Sequence, residues 1–438
     1  MNRILRHLRR ELSAVRLLTW GLLEVRWLRW YKAMALLAAA ESTGARLAPA
    51  IGARFMLWGS DEPDAGTRRT AALACPGAEQ VRVRFHSAGS SDLVHANVIA
   101  LKPFRDAGER GVLLLKYCEV LNAFPLLFDI EAVQRRYHLV FEPSTTGFMQ
   151  PSTWLVNPNS SVVGVQTVER LSASQYARLG FLPLNVSDGD WVDEDGFRPL
   201  DGVQKRYDFA MIATFIPLKR HAFVFDAIRR YWKGSVRFAL LTSEWVGEGR
   251  PGAERLLQAY DLLDSADVYL DVSQVEVNRI LNESRCHVLA SQREGANRAC
   301  LEALFAGIPA LLPEGHVGFP HFRYNQSHVR LYRDAADLVQ KIVESRGAQD
   351  PRVIAGAARK VSGSRVATEV VNAAMKRECI ARGESWERDL VPKVTRVHCC
   401  YRDPSQFDAH RADYEYLASV TRGGFSYDPN RAQRLLTR

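Results

Sequence analysis

The chain has 438 residues, 47% of them apolar and 24% charged, the balance of a soluble globular protein with room for two domains and a large core. A formal charge of +9 favours anionic partners such as a nucleotide diphosphate, a lipid phosphate or a membrane surface. No nucleic-acid module, P-loop or GxGxxG after a strand is legible, no apolar run approaches a membrane span, and charges interrupt the first 32 positions too often for a signal peptide. The seven cysteines are scattered without CxxC spacing, which points to a reducing, cytoplasmic compartment and, with no matching ligand spacing, to no metal site.

Residues 1–45 form a distinct segment in which Arg3, Arg6, Arg9, Arg10, Arg16, Arg26, Arg29 and Lys32 alternate with leucines and with Trp20, Trp27 and Trp30. Such a basic, aromatic-rich helix either lies on a membrane surface or packs on the body of the protein with its arginines solvated. A turn-rich stretch, 59–77, precedes candidate strands at 81–85, 111–117 and 138–141. The last of these runs into Glu142 and a polar turn, and the carboxyl end of a strand is where open α/β sheets place functional groups. A strand at 161–167 and a helix at 169–179 follow.

The second half alternates regularly: strand 207–214, helix 219–232, strand 236–241, helix 252–264, strand 268–270, helix 273–282 with Ser273 as its cap, strand 286–290, helix 297–306, strand 308–312 and helix 335–344. Repeated βα alternation predicts a parallel sheet with helices on both faces. Beyond about 350 the chain is mostly helical and polar, a tail expected to return to the first domain.

Two strand-loop-helix junctions carry the chemistry. In the first, Thr214 closes a strand, and Lys219, Arg220 and His221 open a helix, placing two cations where a diphosphate leaving group would need them. In the second, Ser291 to Asn297 form a polar loop containing Glu294 and Gly295, and a helix carrying Glu302 ends at Gly307 with Pro309 beyond. Eight helical residues rise roughly 12 Å, so Glu294 and Glu302 are too far apart to share a proton. They suit the two ends of an elongated ligand, with a helix N-terminus between them for an anion. A nucleotide sugar has that shape. Thr242 and Ser243, at the end of the next strand, and Val272, before a helix, fall on the same side by topology.

Ser291-x-x-Glu294-Gly295, Glu302-Ala303 and Gly307-x-Pro309 resemble the donor-site signature of retaining group 1 glycosyltransferases with the GT-B fold. That resemblance implies two Rossmann-like domains facing a cleft, metal-independent chemistry without a cofactor, and a nucleoside-diphosphate sugar as donor, UDP or GDP undistinguished. By the resemblance, Glu294 contacts the transferred sugar, Glu302 the ribose, and Ala296, Asn297 and Arg298 the sugar or diphosphate, while Lys219 and Arg220 stabilise the leaving group. Asn185, Trp191-Val-Asp193 and Phe197-x-Pro199 are similar to the family's interdomain element. The implied organisation is a basic segment 1–60, an acceptor domain 61–200, a donor domain 201–375 and a helical tail 376–438.

The family often places a histidine at the end of the acceptor-side strand. Here Glu142 holds that place, with His138 at the opposite end. The combined motifs look like a bacterial subgroup of surface-polysaccharide enzymes, which implies a glycan or lipid-linked acceptor and a cytoplasmic enzyme, peripheral on the membrane if residues 1–45 bind it. A sugar-nucleotide epimerase of the same fold and a non-catalytic nucleotide-sugar-binding protein are the alternatives.

Overall fold

The computed structural model describes residues 11, 12, 15, 19 and 88–437, apart from 107, 144–154, 168–172, 175, 178, 245–248, 295, 296, 348 and 397. The basic N-terminal segment with its membrane reading, the stretch 59–77, the candidate strand 81–85 and much of the candidate helix 169–179 lie wholly or largely outside the described residues. Among the described residues no helix is long and apolar enough to cross a membrane. The chain divides into two compact units, residues 1–188 with 368–438, and residues 189–367. The boundaries read from sequence, near 200 and 375, fall slightly later.

The first unit opens with α1 (Ala88–His95), β1 (Val98–Lys102), β2 (Gly111–Lys116), α2 (Cys118–Leu127), α3 (Ile130–Arg136), β3 (Tyr137–Glu142), β4 (Val163–Gln166) and β5 (Leu182–Leu184). The sheet order is β1-β2-β3-β4-β5; β1 is antiparallel to β2, and the other pairs are parallel. Every residue of β2 and β3 is buried, as expected of parallel strands covered on both faces. The apolar runs at 113–115 and 139–141 read as strands for that reason. The strand β1, absent from the sequence reading, is an edge, and its backbone is covered from the tail.

The second unit contains β6 (Phe209–Ile212), α4 (His221–Tyr231), β7 (Phe238–Thr242), α5 (Gly249–Ala259), β8 (Ala266–Leu270), α6 (Gln274–Glu283), β9 (His287–Val288), α7 (Arg298–Phe305), β10 (Ala310–Pro313), β11 (Val329–Tyr332), α8 (Ala335–Glu344) and α9 (Pro351–Arg359). Its six strands run parallel in the order β8-β7-β6-β9-β10-β11, the doubly wound Rossmann arrangement. One apolar cluster packs Val224, Phe225, Ile228, Leu338 and Ile342 of α4 and α8 on one face of the sheet. Another packs Ile280, Leu281, Cys300, Leu301, Leu304, Ile354 and Ala358 of α6, α7 and α9 on the other. Strand order reverses between β6 and β9, and such a reversal opens a crevice at the carboxyl ends of the two strands.

The tail comprises α10 (Ser364–Ala381), the antiparallel pair β12 (Lys393–Thr395) and β13 (Cys399–Tyr401), α11 (Gln406–Ala409), α12 (Arg411–Ser419) and α13 (Pro429–Leu436). From residue 368 it belongs to the first unit, the return expected from sequence. There it shields the edge strand. The Ala100 amide donates to the Tyr414 hydroxyl at 3.1 Å, and the Tyr401 hydroxyl donates to the Ala100 carbonyl at 2.7 Å. An exposed edge with unpaired backbone groups invites strand addition, and two tail tyrosines remove those groups from solvent.

Candidate active site

The loops after β6 and β9 meet at the switch point of the second unit. After β6 the chain makes one short turn, Pro217–Lys219, and then Arg220 takes a left-handed conformation (φ 56°) before α4 begins. A non-glycine residue there is uncommon, and it redirects the backbone so that consecutive cations serve different partners. The Lys219 ammonium donates to both carboxylate oxygens of Glu294, each at 2.7 Å. The Arg220 guanidinium donates to the Ala290 carbonyl at 3.0 Å and lies over the Phe223 ring. Two ties from the first loop thus fix the loop after β9.

Glu294 is held from a second side. The Ser291 hydroxyl donates to its Oε1. Its backbone amide donates to the Val317 carbonyl at 2.9 Å, while the Val317 amide donates to the Gln292 carbonyl at 3.0 Å. This short zipper joins the loop after β9 to the loop after β10, and Gly318 makes it possible. Gly318 has φ +114°, and a Cβ there would stand 1.9 Å from the Glu294 carbonyl oxygen, so only glycine fits. His316, buried in the same loop, places Nδ1 3.0 Å from the Ser291 carbonyl. Burial pushes its imidazole down to about 4, with the Ser291 carbonyl and Glu294 pulling the other way.

The helix α7 starts immediately after this loop. Asn297 caps it, its side chain accepting from the Cys300 amide at 2.9 Å. The Gly307 stop (φ +84°) agrees with the sequence reading. At Gly307 an added Cβ would lie 2.5 Å from Pro351. Glu302, one turn beyond Arg298, is half-buried, and desolvation raises its carboxyl above the usual range while Arg298 opposes the rise.

The remaining expected residues fall around this centre. Thr214 and Ser243 are half-buried at the ends of their strands. The Thr242 hydroxyl is buried and meets no hydrogen-bond partner among the described residues. Val272 packs against the core beside α6. Gly295 and Ala296 lie outside the described residues. The structure adds Ser291, His316 and Gly318 as residues packed around Glu294 and its loop. Ser291 stood in the motif without a role, and the string Gly315-His316-Val317-Gly318 after an apolar strand was the available signal for the other two.

Glu142 belongs to the first unit and has a different setting. It ends β3 fully buried, with Lys116 on Oε1 at 2.9 Å, Lys393 on Oε2 at 2.8 Å and the Gln166 amide at 3.3 Å. Lys116 also pairs with Asp188. Two ammoniums and two carboxylates lie together, with Lys116, Lys393 and Glu142 buried. Desolvation raises the Glu142 carboxyl against the pull of both lysines. Such a carboxylate is the counter-ion that permits two lysines to be buried. His138 is also engaged: its Nδ1 accepts from the Val162 amide at 3.0 Å, and its Nε2 lies 3.0 Å from Glu384.

Residues 194–351 match the family described as glycosyl transferases group 1. That stretch includes the whole of the site around Lys219 and Glu294. No curated protein matches the chain. Solved structures resemble it remotely. HepE of Anabaena, with UDP and glucose, is 12% identical over 57% of this chain and 72% of its own, with a TM-score of 0.40. The pneumococcal O-GlcNAc transferase GtfA, with UDP and GlcNAc, is 13% identical over 58% of this chain and 54% of its own, with a TM-score of 0.43. The lipopolysaccharide outer core galactosyltransferase WaaB is 14% identical over 60% of this chain and 72% of its own, with a TM-score of 0.41.

Proposed function

We propose that the protein is a retaining, metal-independent GT-B glycosyltransferase that moves a sugar from a nucleoside-diphosphate donor to a glycan or lipid-linked acceptor in surface-polysaccharide synthesis, at the cytoplasmic face of the membrane. The observation that carries this reading is the Lys219–Glu294 pair at the switch point of a doubly wound sheet, beside the N-terminus of α7. An ammonium has three N–H donors. Glu294 accepts two of them, and the third serves a phosphate oxygen of the donor.

Charge at the site suits that ligand. Lys219, Arg220, Arg293 and Arg298 stand against Glu294 and Glu302, a surplus of two positive charges at a helix N-terminus, where an anion is stabilised. As the glycosidic bond breaks, negative charge grows on the diphosphate and positive charge on the sugar. Lys219 answers the first and Glu294 the second, so one pre-formed ion pair stabilises both halves of the separating transition state. Arg220 works through its bond to Ala290, setting the β9 loop. Glu302 accepts from the ribose hydroxyls, and Thr242 and Ser243 border the nucleotide. Glu142 supports the first unit as a counter-ion. The remote structures that hold UDP and a sugar agree with a nucleotide-sugar donor.

The test is transfer itself. UDP-, GDP- and CDP-sugars labelled in the sugar are incubated with the protein and a bacterial envelope extract. The reading requires label in the lipid or glycan fraction from one donor, with stoichiometric nucleoside diphosphate, abolished in Lys219→Ala. Label released or rearranged equally without the extract identifies an epimerase or hydrolase instead. No turnover of any donor contradicts an enzyme of this class.

A further inference from the structure

The loop after β10 carries a buried histidine that the donor-site reading does not use. Its chemistry is fixed by one contact. The Ser291 carbonyl only accepts hydrogen bonds, so His316 Nδ1, 3.0 Å away, carries the proton. A neutral ring protonated at Nδ1 leaves Nε2 as a bare acceptor, and here that atom is buried with no partner among the described residues. The ring is held at one end alone, and that end reaches the backbone of the residue whose hydroxyl donates to Glu294.

We propose that His316 is a positioning residue for Glu294, acting through a relay from its Nδ1–H to the Ser291 carbonyl, from the Ser291 hydroxyl to Glu294 Oε1, and from that carboxylate to Lys219. The proposal rests on the donor-site reading above, and it names a residue beyond the Ser291 to Pro309 string as a determinant of turnover.

The reason lies in where Glu294 sits. It stands in a loop, outside any helix or strand, so no regular element sets its side chain. Its direction is set by the Ser291 hydroxyl on one side and Lys219 on the other. Ser291 can aim its hydroxyl only if its own backbone is held, and its carbonyl is gripped by the imidazole. The Val317 zipper fixes the backbone of Gln292 and Glu294, and His316 adds the residue that the zipper leaves out. A shift of a carboxylate by a fraction of an ångström at a reacting centre is enough to lower turnover.

Two measurements test it. Selective 15N labelling of histidine, with His316 assigned by its disappearance in His316→Asn, reads the ring directly. A protonated Nδ1 with a bare Nε2 is expected, and the opposite tautomer overturns the relay. Kinetically, Asn places an amide N–H near the position of Nδ1, whereas Leu fills the space without a donor. His316→Asn is expected within about threefold of the wild-type kcat, and His316→Leu 10–100-fold below it (roughly the range for outer-shell partners), with donor KM nearly unchanged. Ser291→Ala should cost a similar factor, and the double variant no more than either single one, because both break the same relay. Equal kcat for the Asn and Leu variants, or fully multiplicative losses, overturns the proposal. If the wild type turns over no donor, the transferase reading fails. The ring tautomer and the coupling of Ser291→Ala with His316→Leu in thermal stability then still decide the relay, independence of the two substitutions counting against it.

Discussion

One ammonium, that of Lys219, donates to both oxygens of the Glu294 carboxylate at 2.7 Å, across two loops 75 positions apart in sequence. Both side chains are mostly buried, at 16% and 9% exposure, so neither is fully compensated by water when the other is removed. Lys219→Met should lower stability by about 2–4 kcal/mol, toward the range for breaking buried pairs. It should also lower kcat by about 10²–10³, the usual loss when one transition-state donor is removed. Urea unfolding and steady-state kinetics check the two effects separately. Lys219→Arg keeps the charge but changes its shape, and is expected to recover stability more than turnover.

Gly318 offers a sharper probe because its side chain is only a hydrogen. Gly318→Ala puts a methyl group 1.9 Å from the Glu294 carbonyl oxygen at φ +114°. The zipper between the loops must open. A stability loss of at least about 2 kcal/mol is expected from backbone strain, with kcat falling further than Tm alone explains. Unchanged kinetics in Gly318→Ala would show that the zipper does not place Glu294.

In the first unit, Glu142→Gln distinguishes a counter-ion from a catalyst. Removing its charge leaves Lys116 and Lys393 buried without the carboxylate that pairs with both. The loss should be about 3–5 kcal/mol, while the protein that stays folded at low temperature keeps kcat within a few fold. Lost turnover at unchanged Tm would make Glu142 part of the chemistry.

Acid should unfold the second unit early. Burial pushes His221, His287 and His316 down to about 4, against about 6.5 in an unfolded chain. Between those values the unfolded state binds more protons than the folded one. The stability these residues contribute is therefore complete above pH 6.5 and is lost as pH falls towards 4, at up to about 1.4 kcal/mol per pH unit for each histidine. Glu109 and Glu384, held down to about 2 by Lys102 and backbone amides, and by His138 and Arg110 respectively, extend the loss below pH 4.5. The urea midpoint should be flat from pH 8 to 7 and fall steeply from 6 to 5. A flat profile to pH 5 would contradict the buried neutral histidines.

How much of this was legible in sequence depended on whether the signal was local. The βα alternation from 207 to 344, the Ser273 cap and the Gly307 stop are set by neighbours within a few residues, and they appear in place. Strand β11 and the three-residue strands β12 and β13 are too short for a period to show, and β1 takes its meaning from tyrosines some 300 residues away. Glu142 was visible as an acid at a strand end, but its partner Lys393 lies in the tail. His316 carried no periodic signal, only its place in a glycine-flanked loop after an apolar strand; the folded contact with Ser291 gives it a role.

The central claim is that the loops of the second unit bind a nucleoside-diphosphate sugar, and a thermal-shift titration tests it most directly. UDP, GDP, CDP and their common sugars are compared on wild type and Glu302→Ala. A ligand that binds only the folded state stabilises it by about 2.7 kcal/mol at one hundred times its dissociation constant. The account predicts a concentration-dependent rise in Tm for the nucleotides of one base, weakened in Glu302→Ala. No shift with any nucleotide, or a shift indifferent to Glu302, would contradict it.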